Sequence, residues 1–184
     1  MTSPSKFAHI VYRTHRYQEM IDWYQQVFDA KVQNQTDHLS FLTYDEEHHR
    51  FAFLNLGGTP SAAKPDQAAA GVHHVAYTWD SVNELMAQYE KMCALGCKPF
   101  MSVRHGPTLS MYYTDPDGNG LEFQVDLLSV EEANSFMKSD AFHANPIGEP
   151  FDPDELVKAL SGKREIVSLV IRSDQGTPAS GVPV

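Results

Sequence analysis

Residues 103–122 read VRHGPTLSMYYTDPDGNGLE and set an imidazole, a phenol and a carboxylate at His105, Tyr112 and Glu122. An imidazole can give or take a proton near neutral pH, a phenol can hold an oxygen by one hydrogen bond, and a carboxylate can bind a divalent cation. Asp115-Pro116-Asp117-Gly118 is turn chemistry, because proline fixes φ and Asp and Gly favour a tight reversal, so the stretch predicts a hairpin. Beyond the turn Leu121, Phe123 and Val125 alternate with Glu122 and Gln124, which sends the carboxylate to the face opposite the apolar one. On an isolated strand such a carboxylate is an ordinary solvated group, so its meaning depends on what shares its face.

The elements that must position these groups form a repeat. A strand at 6–13 precedes an amphipathic helix, Tyr17–Phe28, with Met20, Ile21, Tyr24, Val27 and Phe28 on one face, and strands follow near 31–35, 39–44 and 49–56. After a Gly, Pro and Ala-rich loop at 57–70 the order restarts. A strand at 72–79 leads to Ser81-Val-Asn-Glu84, a capping-box spacing, then a helix carrying Leu85, Met86, Tyr89, Met92 and Cys93, then strands near 98–104, 110–114 and 119–126. His9-Ile-Val-Tyr12 and His74-Val-Ala-Tyr77 hold matching places in the two halves. The expected fold class is therefore α+β, with paired β-α-β-β-β modules at 6–57 and 71–126 in a single domain, 1–126. Residues 127–184 are expected as a helical extension and tail, with helices near 130–138 and 154–161 and a mobile end at 175–184.

Strand parity groups His9 with Phe7, Val11 and Arg13, and His74 with Val72, Ala76 and Thr78, while sending His73 to the opposite face. One histidine from each opening strand with Glu122 from the last strand makes two imidazoles and one carboxylate. That is the ligand set of non-haem Fe(II) oxygenases, which leaves positions open on the metal.

A net charge of −10 over 184 residues argues against nucleic acid or an anionic membrane as partner. No apolar run approaches the roughly 18 residues of a membrane span, and the first residues lack a signal-peptide core, so a cytoplasmic protein is expected. Cys93 and Cys97, four apart in a helical pattern, read as packing residues.

On these residues the sequence, over 6–126, resembles the vicinal-oxygen-chelate superfamily and, within it, the one-domain type I extradiol ring-cleaving dioxygenases. The signature is a His at 105, five residues, an apolar residue and Tyr112, then Asp-Pro-x-Gly, then Glu122. The resemblance implies paired modules closed into a cup around Fe(II), with Mn(II) also accepted, held by His9, His74 and Glu122. It implies meta cleavage of a catechol-type diol with O2, monocyclic, biaryl or fused-ring, in a homo-oligomer, dimeric or larger. Residues 45–53, DEEHHRFAF, are similar to the family segment carrying the acid–base histidine, and the match falls on His49; aligning Ala52 with Glu122 under the repeat favours His48 instead. In this resemblance His49 takes the diol proton, His105 is a donor to dioxygen and Tyr112 binds a ring oxygen. The competing readings are a redox-inert metal enzyme of the same fold, such as an isomerase or thiol transferase, and a non-enzymatic module binding an aromatic or drug molecule.

Overall fold

The computed structural model describes residues 2–60, 69–162 and 166–175. The chain divides into two compact units, Met1–Gly71 with Thr114–Asn119, and Val72–Tyr113 with Gly120–Val184.

In the first unit β1 (Ile10–Thr14), α1 (Tyr17–Phe28), β2 (Lys31–Gln35), β3 (Leu39–Thr43) and β4 (Phe51–Asn55) follow the expected order. The sheet runs β1-β4-β3-β2, with β1 and β4 parallel and the other pairs antiparallel. Phe51 and Phe53 alternate toward α1, where the Tyr24 ring lies 4.6 and 4.9 Å from theirs. Met20, Ile21, Tyr24 and Val27 are the buried stripe of α1, spaced as a 3.6-residue period requires. Beyond the strands, the turn 114–119 belongs to this unit: Tyr24 donates its hydroxyl to Asp115 Oδ2 at 3.1 Å, and Arg16 Nε lies 3.5 Å from Asp117 Oδ1. Asp115 also accepts the backbone N–H groups of Asp117 and Asn119, which pins the reversal.

The second unit repeats the order with β5 (His74–Trp79), α2 (Val82–Ala94), β6 (Met101–Arg104), β7 (Thr108–Thr114) and β8 (Gly120–Asp126), in a sheet ordered β5-β8-β7-β6-β9, where β9 is the short strand Glu149–Pro150 of the extension. Ser81 caps α2 by accepting the Glu84 N–H, while Glu84 reaches the N–H of Asp80 rather than closing the box on Ser81. Leu121, Phe123 and Val125 are almost wholly buried on one face of β8, the helix side of the sheet. Gly120 allows the pairing of β8 with β5. A Cβ there would stand 2.2 Å from the His73 carbonyl oxygen, so only glycine permits the approach that sets His74 opposite Gly120 and Ala76 opposite Glu122.

The extension adds α3 (Val130–Phe136), α4 (Asp140–Ala144), β9 (Glu149–Pro150), α5 (Pro153–Ser161) and α6 (Val167–Val170). The helices expected near 130–138 and 154–161 are present; α4, α6 and the short β9, which pairs with the edge of β6, were not expected. Proline is tolerated in β9 because a sheet edge asks less of its N–H groups. Gln175, placed with the mobile tail by sequence, is held: its amide donates to the Gly106 carbonyl at 3.1 Å. Residues 176–184 and the 61–68 part of the expected loop lie outside the described residues. Among the described helices, none is long and apolar enough to cross a membrane.

Candidate active site

Glu122 sits in mid-strand with only 7% of its surface exposed, on the face opposite Leu121 and Phe123. A buried carboxylate is costly unless partnered. Its partners are His74, whose Nε2 is 2.9 Å from Oε2, and Tyr112, whose hydroxyl donates to Oε1 at 3.0 Å. The register explains the meeting: His74 and Ala76 alternate onto one face of β5, and Glu122 stands directly across from Ala76. His105, just past the end of β6, brings its Nε2 within 2.8 Å of the Tyr112 hydroxyl and turns its Nδ1 to the Ile147 carbonyl at 2.5 Å. Four of the sequence-derived site residues, His74, Tyr112, Glu122 and His105, thus form one connected chain in the second unit. Burial first, and the Glu122 charge second, raise Tyr112 above the usual phenol range, which keeps its hydroxyl a donor at any working pH.

The first unit holds the other two. His9 stands just ahead of β1 rather than inside the expected strand, and His49 just ahead of β4; their rings lie 4.3 Å apart, with Phe41 against His49 at 4.9 Å. Of the adjacent pair, His49 makes the ring contacts to His9 and Phe41, while the His48 side chain is 71% exposed, with its Nδ1 2.6 Å from His49 Nδ1 and its Nε2 3.4 Å from Glu47 Oε1. Burial, then the neighbouring imidazoles of His9 and His48, pushes His49 below the ordinary imidazole range, so it is neutral at pH 7. In this sheet Ala52, opposite Val11 in β4, takes the place that Glu122, opposite Ala76, takes in β8. The repeat therefore supplies a histidine twice and a carboxylate once.

One expectation needs correction. Parity was to send His73 away from His74, but β5 begins at His74, so the alternation of a strand does not govern residue 73. His73 instead folds back, its Nδ1 2.7 Å from His74 Nδ1.

An imidazole nitrogen and a carboxylate oxygen meeting at 2.9 Å, His74 partly open and Glu122 buried, suit a divalent transition metal in their chemistry. Among the described residues, no three His, Cys, Asp or Glu side chains form a ready-made metal cluster. Beside Tyr112 opens a cavity of about 520 Å³, lined by Phe100, Met101, Val103, Ile147, Pro150 and Phe151 among others. Met101 pairs directly with Tyr112 across β6 and β7, and the Phe100 ring lies 6.2 Å from that of Tyr112. Sequence reading missed this wall and the Ile147 contact, because a backbone carbonyl leaves no mark in residue type; the turn-like run Asn145-Pro-Ile-Gly148 is the one signal that could have pointed to them.

Residues 6–123 match the family model described as the Glyoxalase/Bleomycin resistance protein/Dioxygenase superfamily. The chain belongs to this superfamily. Within it, the chain is 45% identical over 163 residues to "Biphenyl-2,3-diol 1,2-dioxygenase 2" of Rhodococcus globerulus, a match covering 88% of this chain and 84% of the relative. It is 36% identical to "Biphenyl-2,3-diol 1,2-dioxygenase 3" of the same organism, over 86% of this chain and 84% of that one. Among solved structures, a lactoylglutathione lyase from Agrobacterium tumefaciens shares the superfamily fold at a TM-score of 0.54 and 18% identity, over 67% of this chain and 96% of that chain.

Proposed function

We propose that the chain is an extradiol dioxygenase, an oxidoreductase that opens the ring of a catechol-type diol beside its hydroxyls and places both atoms of O2 in the product. The likeness to the two biphenyl-2,3-diol 1,2-dioxygenases carries this reading, and the connected side chains from His74 to His105 support it. His9, His74 and Glu122 would hold the metal, Fe(II) with Mn(II) as the alternative. Bound there, the ion would supply a redox-active Lewis acid able to engage diol and dioxygen together.

The protein's own groups account for the rest. His49, held neutral, accepts the proton a catechol must release near neutral pH. Tyr112, held protonated, redirects its one hydroxyl hydrogen from Glu122 Oε1 to a substrate oxygen and so fixes the ring in place. His105 offers Nε2 beside that hydroxyl as a second proton-handling group. The apolar cavity next to Tyr112 takes a bulky substituent of the diol, which favours an aryl-substituted catechol over an unsubstituted one. Anaerobic loading with Fe(II), followed by oxygen-electrode assays on a panel of catechols including biphenyl-2,3-diol, tests the reading. A coloured ring-opened acid carrying two labelled oxygen atoms from 18O2 is expected; iron-loaded protein that consumes no oxygen with any member of the panel overturns it.

A further inference from the structure

We propose that the C-terminal segment positions His105 through Arg172, fixing the ring hydrogen on Nδ1 and aiming Nε2 at Tyr112. A carbonyl oxygen only accepts, so the Nδ1 contact with the Ile147 carbonyl requires the hydrogen to sit on Nδ1. Nε2 then faces the Tyr112 hydroxyl, and in neutral His105 it is an acceptor that shares the single hydrogen of that hydroxyl with Glu122 Oε1.

What holds Ile147 in place is the extension. Asn145 closes the corner on both sides, its amide donating to the Gly148 carbonyl at 2.9 Å and its oxygen accepting the Gly148 N–H at 3.0 Å. Gly148 has φ +97°, and a Cβ there would meet the Arg104 carbonyl oxygen at 2.1 Å, so the corner is packed directly on the strand end that carries His105. Arg172, 1% exposed, then ties both sides together: one guanidinium nitrogen donates to the His105 carbonyl at 3.0 Å and to the Asn145 carbonyl at 2.9 Å. Its other nitrogens pair with Asp174, and the group lies 5.3 Å from the Phe136 ring centre, so the charge is compensated where it is buried. The planar guanidinium thus holds both carbonyls through one nitrogen while its other two keep the Asp174 carboxylate. Neither Arg172 nor Asn145 lines the cavity or belongs to the proposed ligand set, so both are positioning residues for His105.

The test reads the tautomer directly. Long-range 15N–1H correlation of the imidazoles in the metal-free, full-length chain separates Nδ1–H from Nε2–H histidine, with His105→Gln identifying the signal. Wild type should show Nδ1–H alone. Arg172→Gln and Asn145→Ala, each checked for fold by circular dichroism, should show both tautomers. In the iron-loaded variants kcat on biphenyl-2,3-diol should fall by roughly tenfold or more with KM little changed, as expected for a misaimed group. Asn145→Ala decides alone if the buried Arg172→Gln does not fold. A mixed tautomer in wild type, an unmixed one with undiminished kcat in the folded variants, or collapse of both variants overturns the proposal. The kinetic arm rests on the ring-cleavage reading and the tautomer arm does not. A chain inert toward catechols whose tautomer still mixes in the variants would sink that reading and leave the positioning role standing.

Discussion

Tyr112 donates its hydroxyl to Glu122 Oε1 at 3.0 Å, so the phenol and the carboxylate that flank the turn are held as one unit. The same hydroxyl touches His105 Nε2, and the other oxygen of Glu122 faces His74. Tyr112→Phe keeps the ring and its packing but deprives a buried carboxylate of one donor. A stability loss of about 1 kcal/mol is expected. Turnover should fall with iron content unchanged, which thermal melts and metal analysis of the same preparation will show together.

Glu122 and His74 should fail in a different way. Glu122→Ala or His74→Ala removes a proposed ligand, so iron retention after gel filtration and turnover should drop in parallel. An alanine variant that keeps near-equimolar iron and full activity would remove that residue from the ligand set.

His49→Ala, by contrast, should leave a folded, iron-loaded enzyme slowed by roughly 10²-fold or more, the scale of a lost general base. His48→Ala at the exposed neighbour should change little. Steady-state assays at saturating diol discriminate the pair, and equal effects would mean the base has been misassigned.

His73 is no inert control. Because its Nδ1 lies against that of His74, His73→Ala should loosen the orientation of His74 and weaken metal affinity by about tenfold or more, as lost outer partners of metal-binding histidines do. Competition with a metal chelator measures this; an unchanged affinity would show the contact to be incidental.

Asp115 gives a prediction in pH. Burial, working against the hydrogen bonds from Asn119 and Tyr24, lifts its carboxyl to about 6, above its ordinary value of 3.8. The folded state thus holds this proton to higher pH than the unfolded chain. Its contribution to stability is fully present below the unfolded value and is lost as pH rises through about 6. Chemical denaturation at several pH values should show that slope in wild type and not in Asp115→Asn, the difference between the two isolating this group.

Much of this was legible in the chain because period-2 alternation is strict inside a strand. Leu121, Phe123 and Val125 alone were enough to send Glu122 to the other face, and the paired β-α-β-β-β order followed from turn and helix signals. Alternation lost its authority at strand ends, and that is where His9, His49 and His73 sit. The difference in surroundings between His49 and His48 shows only in ring contacts, and the fold-back of His73 needed backbone geometry that no parity rule contains. Least legible was the support of His105, since Arg172 lies 67 positions away and acts on carbonyl oxygens, which every residue possesses.

The Tyr24 to Asp115 hydrogen bond joins positions 91 residues apart, although both belong to the first unit. During synthesis from the N-terminus, the helix bearing Tyr24 is therefore complete long before its acceptor leaves the ribosome. The first unit must wait for most of the second to be translated before its own turn can close, and long-range closures of this kind are slow. A gene fragment ending at Gly71 should accordingly yield a chain that collapses without settling, whereas one reaching past Asn119 contains every segment the first unit uses.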